Sequence, residues 1–374
     1  MLVGVPSEIK SHEYRVGLTP GAVREYTARG HEVTVQSGAG EGILAPDSAY
    51  IAAGAKIAAT AEEIFASADM VVKVKEPQPS EWVQLREGQL LFTYLHLAPD
   101  PEQAKGLLAS GCTAIAYETV TDERGALPLL APMSEVAGRL SIEAAGEAMR
   151  RSEGGAGILL GGVPGVQAGR VTVLGGGVVG THAARMAVGL GAEVTIVDRS
   201  IPRLRQLDEL FHGRVRTRYS TLETIDYEIS QADAVIGAVL IPGASAPRLV
   251  TRDMLKNMKP GSVLVDVAID QGGCFETSKA TTHEDPTYVV DGIIHYCVAN
   301  MPGAVPQTSA AALNNATLPY GLALAEQGLD ALHSHSIIGA GLLDGLNVHK
   351  GQVTSKAVAE SLEMPFIEPE TALG

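Results

Sequence analysis

The stretch RVTVLGGGVVGTHAARMAVGLGAEVTIVDRS, from Arg170 to Ser200, leaves this chain few folds to choose from. A β-favouring run (VTVL) leads straight into G-x-G-x-x-G, with its glycines at Gly175, Gly177 and Gly180. A helical pattern of small residues follows, then a second β run ending at Asp198. Gly175 permits a tight turn, Gly177 lets the backbone approach a pyrophosphate, and Gly180 lets the helix pack closely on the sheet. Free N–H groups and the helix dipole favour negative charge at that point. A lone glycine motif is weak, because glycine-rich turns are common. Here strand, glycines, helix, second strand and acid come in order, and that context makes the motif specific. Asp198, placed 18 residues after Gly180, is positioned to accept hydrogen bonds from adenine ribose hydroxyls. A carboxylate there repels the additional phosphate of NADP, so NAD is the expected cofactor. The adjacent Arg199 softens that preference.

The rest of the chain repeats the alternation of short apolar runs with helical patterns, which is the signature of βαβ units. In the first part, strands are expected at 2–6, 32–36, 70–75, 89–96 and 113–118, with helices at 20–29, 47–53, 60–66 and 100–110. The runs VVKVK and LLFTYL look like strands buried on both faces of a parallel sheet. A long helix is expected from Met133 to Arg151, with Ser134 as its N-cap and arginines at its far end. The stretch SEGGAGILLGGVPGVQAG then reads as a junction. A second series places strands at 170–174, 193–198, 234–239, 262–269 and 295–298. After about Pro302 the pattern turns helical.

With 374 residues the chain is long enough for two domains. The expected division is discontinuous: residues 1–133 with 303–374 form a substrate domain, and 134–302 form an inserted NAD-binding domain. Apolar residues at 45% and charged residues at 19% exclude overall disorder. The abundant glycine, with aromatics at 4%, suits an α/β chain better than an aromatic-rich sandwich. The net charge of −15 argues against nucleic acid and anionic membrane as partners. Cys112, Cys274 and Cys297 are too few and too scattered for a disulfide framework, which fits a reducing cytoplasm. The N-terminus lacks a signal-peptide pattern, and no apolar run is long enough to span a membrane.

Four titratable residues stand at or near strand ends in the first part: Arg15, Lys75, His96 and Glu118. In parallel sheets the carboxyl edge is the ligand edge, so such groups converge on one site. Arginine as a planar fork and lysine as a point charge suit a carboxylate substrate. Histidine suits proton donation near neutral pH. Each has a bland alternative: a solvated loop for Arg15, a surface pair with Glu76 for Lys75, a hydrogen-bonded place near the core for His96. For Glu118 local capping or pairing is the favoured reading. In the second part, Asp270 is expected to end the strand SVLVDVAID facing the nicotinamide end of a dinucleotide, or else to cap a turn. Asp266 is read as paired within the sheet. The scattered histidines, including His182, His333 and His335, lack zinc-ligand spacing.

The segments VPSEIKSHEYRVGLTP, VVKVKEP, YLHLAPD, LGGGVVGTHAARMAVGLGAEVTIVD, DVAIDQGG and VANMPGAVPQTSA resemble the alanine dehydrogenase family, which also includes the NAD-binding subunit of nicotinamide nucleotide transhydrogenase. The likeness runs in order across essentially the whole chain. The fold it implies is α/β: two Rossmann-like, doubly wound parallel-sheet domains with an active-site cleft between them, assembled as a homohexamer. The activity it implies is reversible oxidative deamination of L-alanine to pyruvate and ammonia with NAD. By this resemblance Arg15 and Lys75 hold the substrate, and His96 and Asp270 are the catalytic pair. The implied NAD contacts are Ser134, Val178, Val179, Asp198, Arg203, Ser220, Val239, Leu240, Val267 to Asp270, Ala299, Asn300, Met301 and Pro302, beside the three glycines. Some members bind magnesium through a glutamate and a histidine. Glu118 matches the first, but Gln327 stands at the second, so no metal is expected.

Three rival readings remain at this level. A transhydrogenase subunit needs no amino-acid site. A non-catalytic NAD-binding regulator predicts binding without turnover. A dehydrogenase for another amino acid would share the fold, and the side-chain pocket is not legible in the sequence.

Overall fold

The computed structural model describes residues 1–239, 246–334 and 336–374. Leu240 and His335 therefore lie outside the described residues. The chain divides into two compact units, Met1–Met133 with Gly303–Gly374, and Ser134–Pro302.

In the first unit the strands are β1 (Leu2–Val5), β2 (Glu32–Gln36), β3 (Lys56–Ala58), β4 (Met70–Val72), β5 (Leu90–Thr93) and β6 (Thr113–Ala116). The second unit contributes β7 (Arg170–Leu174), β8 (Glu193–Asp198), β9 (Val215–Tyr219), β10 (Ala234–Gly237), β11 (Val263–Asp266), β12 (Thr287–Val290) and β13 (Ile293–Tyr296). Strands β14 (Leu346–His349) and β15 (Gln352–Val353) return to the first unit.

The first sheet runs β15-β14-β6-β5-β4-β1-β2-β3 and the second β12-β13-β11-β10-β7-β8-β9. Six strands of each are parallel, in the doubly wound order 3-2-1-4-5-6. Strand order therefore reverses between β1 and β4 in the first sheet, and between β7 and β10 in the second. A doubly wound sheet binds ligands at the carboxyl ends beside that reversal.

The central strands are buried along their whole length. Alternate residues feed opposite faces. In the second unit Ala234, Ile236, Val263 and Val265 join one core cluster, while Val235 and Leu264 join another. Each such valine, leucine or isoleucine side chain contributes roughly 1.5–3 kcal/mol by burial. This two-sided burial produces runs with no polar alternation.

Several expectations need correction. The long helix spans Ala131–Ala148, so Ser134 lies in its first turn and is not its cap. Pro132 explains the earlier start, since proline is accommodated in a first turn where its missing N–H is not needed. The glycine-rich stretch after that helix is no junction. It folds within the second unit, held by Ala156 N–H to Gly261 O at 3.1 Å and Gly169 N–H to Leu160 O at 2.9 Å. The strand before Asp270 stops at Asp266, and Asp270 lies in the 3-10 turn Ile269–Gln271. Strands β3, β9, β12, β14 and β15 were not expected. In β9 (VRTRY) only Val215 is buried, so its polar pattern is that of a solvent-facing edge.

Candidate active site

At the reversal point of the first sheet, the loop after β1 carries Glu8, Glu13 and Arg15, and the segment after β4 carries Lys73 and Lys75. Arg15 is only 2% exposed, so it is not a solvated loop arginine. The Glu13 carboxylate grips it as a fork, accepting from Nε at 2.6 Å and from Nη2 at 2.5 Å. Nη1 points to Met133 Sδ at 3.0 Å. Burial alone would lower the Arg15 pKa; the Glu13 bonds and charge outweigh it and raise it. The guanidinium is thus a permanent cation held in one orientation.

Lys73 is fully buried, with Glu8 Oε2 at 3.0 Å and Glu81 Oε1 at 2.8 Å from its ammonium. Burial works against its charge, but the two carboxylates prevail and raise its pKa. One cation cannot neutralise both acids, and burial pushes the Glu8 carboxyl up. Glu8 also accepts the Val74 amide at 2.6 Å and the Lys75 amide at 3.4 Å. The backbone leading to Lys75 is therefore fixed from behind. The Lys75 side chain is largely covered, with its ammonium 4.0 Å from Glu76 Oε2. Lys10 also pairs with Glu76, so the expected Lys75–Glu76 contact is present only as the looser of two.

His96 follows β5 in a left-handed backbone conformation, φ 49°. That conformation is uncommon for a residue other than glycine. Glu118 holds it there. Its carboxylate accepts the His96 amide at 2.6 Å and the Leu95 amide at 3.2 Å. The imidazole stacks on Tyr94, centroids 5.7 Å apart and rings 4° from parallel, and its Nδ1 lies 3.8 Å from Glu118. Tyr94 is itself fixed by donating to Leu129 O at 2.6 Å. The ring of His96 is exposed and so is not a core histidine. Glu118 caps locally, as the favoured reading had it, and its oxygens are engaged by backbone amides.

In the second unit the glycine loop follows β7. Gly175 has φ +103°, a conformation that favours glycine. A Cβ on Gly180 would sit 1.9 Å from Gly175 O, so the helix Val178–Leu190 reaches the loop only because that side chain is missing. A Cβ on Gly177 would meet nothing within 4 Å and would project into open space at the helix start. No side chain caps that start. The loop thus presents backbone donors and an open cradle, which is the shape and polarity a pyrophosphate needs.

Asp198 ends β8 and accepts the Gly176 amide at 2.7 Å and the Ser200 amide at 2.8 Å. An ionised carboxylate has about four acceptor sites, so capacity remains for ribose hydroxyls. Arg203 lies along the loop, donating to Gly176 O at 2.7 Å and to Thr181 Oγ1 at 2.8 Å. Ser220 donates its amide to Asp198 O at 3.0 Å, which puts it beside the same edge. Val178 is exposed, while Val179 and Val239 are half-buried. Val267 follows β11, and Ala299 to Pro302 follow β13. Asp270 is exposed, and Asp266 is fully buried.

Sequence reasoning missed Glu8, Glu13, Lys73, Glu81 and Tyr94. Lys73 carried a signal, since a lysine inside a run buried on both faces must find buried partners. Among the described residues, no group of three or more His, Cys, Asp or Glu is placed to hold a metal ion. No helix there is long and apolar enough to cross a membrane.

Two family models match this chain: "Alanine dehydrogenase/PNT, N-terminal domain" over residues 4–137 and "Alanine dehydrogenase/PNT, C-terminal domain" over residues 141–356. The chain belongs to the alanine dehydrogenase/PNT family. A curated alanine dehydrogenase from Halomonas elongata is 57% identical over 375 residues, covering 100% of both chains. The solved structure of an L-alanine dehydrogenase superimposes with a TM-score of 0.93 at 50% identity, covering 97% of this chain and 99% of the other. A transhydrogenase from Sinorhizobium meliloti gives a TM-score of 0.80 at 26% identity, covering 96% and 100%. The family's second model runs on past Pro302 into residues that pack in the first unit. Sequence order and spatial packing therefore cut this family's fold at different places.

Proposed function

We propose that the chain catalyses the reversible, NAD-dependent oxidative deamination of L-alanine to pyruvate and ammonia. The observation that carries this reading is the buried Arg15 fork. A buried guanidinium held in one orientation by Glu13 at the reversal point of a sheet suits a carboxylate substrate, and a nucleotide-docking subunit needs no amino-acid site. The names of the full-length relatives support alanine as the amino acid.

In this reading residues 1–133 and 303–374 hold the substrate, and 134–302 hold NAD. The open cradle at Gly177, the uncapped helix start and the spare acceptor capacity of Asp198 fit a dinucleotide. Ser134, Val178, Val179, Arg203, Ser220, Val239, Leu240, Val267 and Ala299 to Pro302 complete its contacts. When bound, NAD supplies a hydride acceptor for the α-carbon of alanine.

The chain's own residues handle position and protons. Arg15 takes the substrate carboxylate, and the Lys75 ammonium adds a point charge beside it. Alanine first gives up one ammonium proton to water, and loss of hydride from the resulting amine leaves an iminium on the substrate. Asp270 accepts a proton from the attacking water at a carboxylate oxygen, giving a carbinolamine. Asp270 returns its proton to the departing nitrogen, which leaves as ammonia. The carbinolamine hydroxyl proton passes to water and on to that ammonia, giving ammonium, while the His96 imidazole hydrogen-bonds the developing carbonyl oxygen. The sum is alanine, NAD⁺ and water giving pyruvate, ammonium, NADH and a proton. Such acid–base work contributes about 100- to 10,000-fold. The expected setting is the cytoplasm, and the expected assembly is a homohexamer.

A panel of L-amino acids, each assayed for NADH or NADPH formation, tests this directly. Turnover with L-alanine and NAD is the expected result. Silence with alanine and turnover with another amino acid would overturn the substrate assignment. NAD binding with no turnover on any amino acid would favour a regulator.

A further inference from the structure

The loop that bears Asp270 hangs from a buried carboxylate. Asp266, the last residue of β11, is fully buried. Its Oδ1 accepts the Ala268 amide at 3.1 Å, and its Oδ2 accepts the Cys274 amide at 2.8 Å. The Ser278 hydroxyl donates to the same Oδ2. Ala268 and Cys274 are the two ends of one loop. Between them the chain makes a single turn, with Gln271 and Gly273 amides both returning to Ala268 O at 2.9 and 3.1 Å. Gly273 has φ +82°, and a Cβ there would lie 2.6 Å from Asp266 Oδ2. Only a glycine lets the loop base lie this close to the carboxylate, and Asp270, between the two clamped ends, is exposed.

A buried carboxylate is a costly way to end a strand. Burial pushes the Asp266 carboxyl up, against the hydrogen bonds it accepts. An amide or hydroxyl would cap a strand end at lower cost. What a carboxylate adds is two acceptor oxygens rigidly fixed relative to each other, so the two ends of the loop are held in register.

We propose that Asp266 is a positioning residue for Asp270, clamping both ends of the loop that carries it, with Ser278 as the donor that orients the clamp. This rests on the reading of Asp270 as the acid–base group. Outer-shell partners that orient metal ligands are worth about 10- to 100-fold in activity, and a clamp that orients an acid–base group is expected to fall in the same range.

The test is a double-mutant cycle on the full-length enzyme with L-alanine and NAD. Asp266→Asn is expected to lower kcat about 10- to 100-fold while KM for alanine stays within about twofold, because Arg15 and Lys75 are untouched. Ser278→Ala is expected to shift kcat the same way by less. Added to Asp270→Asn, Asp266→Asn is expected to cost nothing more. An equal loss in both backgrounds, a rise in KM matching the loss in kcat, or undiminished kcat in Asp266→Asn would each overturn the proposal. If Asp266→Asn does not fold, Ser278→Ala takes its place in the cycle with the same outcomes. Retention of turnover by Asp270→Asn alone would remove the underlying reading, and that result is separate from the cycle.

Discussion

The two sheets share one strand order but arm their carboxyl edges differently. The first edge is built from charge: Arg15 locked by Glu13, and Lys73 locked by Glu8 and Glu81, all buried. The second is built from backbone: glycines, an uncapped helix start, and Asp198 holding amides. Arg203, a cation beside it, is tied to the loop it borders. The difference follows from the ligands proposed. A small carboxylate offers few contacts and must be bound by a chain of net charge −15, so it needs local cations fixed against that field. A dinucleotide is large, and its phosphates are met by many weak amide donors.

The sharpest way to break this contrast is to compare one charged residue from each edge. Asp270 is exposed, so Asp270→Asn is expected to keep stability and nucleotide affinity while kcat falls by about 100- to 10,000-fold. Steady-state kinetics beside NADH fluorescence titration separates the two. Lys73→Met is expected to do the converse. It strands two buried acids and costs about 3–5 kcal/mol in urea unfolding. Adding Glu8→Gln and Glu81→Gln is expected to recover much of that loss. No stability change in Lys73→Met would mean the charged edge is not held from behind.

Smaller effects sharpen the comparison. Arg15→Lys keeps the charge but loses the fork, and is expected to weaken alanine binding by about 1.5–3 kcal/mol, read as a raised KM. Gly177→Ala places a methyl in the open cradle. It is expected to weaken NAD binding by about 1 kcal/mol, read by calorimetry, with an unchanged unfolding midpoint.

The same contrast explains what was legible in the sequence. The glycine loop and Asp198 lie within one βαβ unit, so local spacing reveals them. The buried strands were visible because two-sided burial leaves unbroken apolar runs. Strand β9 was not, because its arginines face solvent, and β14 and β15 return from the far end of the chain. Arg15 and His96 could be picked out by type and position, but the carboxylates behind them could not. Glu8 meets Lys73 across 65 positions, and Glu118 meets His96 across 22. Such partners are chosen by the fold and leave no periodic trace. Asp270 was chosen for its place after an apolar run, yet the run ends four residues earlier, at the buried Asp266.

The central claim is that the α-hydrogen of alanine leaves as hydride to NAD. L-Alanine deuterated at its α-carbon, incubated with the enzyme and NAD, tests it by mass spectrometry of the reduced nucleotide. The account predicts NADH carrying one deuterium from that position. Unlabelled NADH, or no NADH at all, would contradict it.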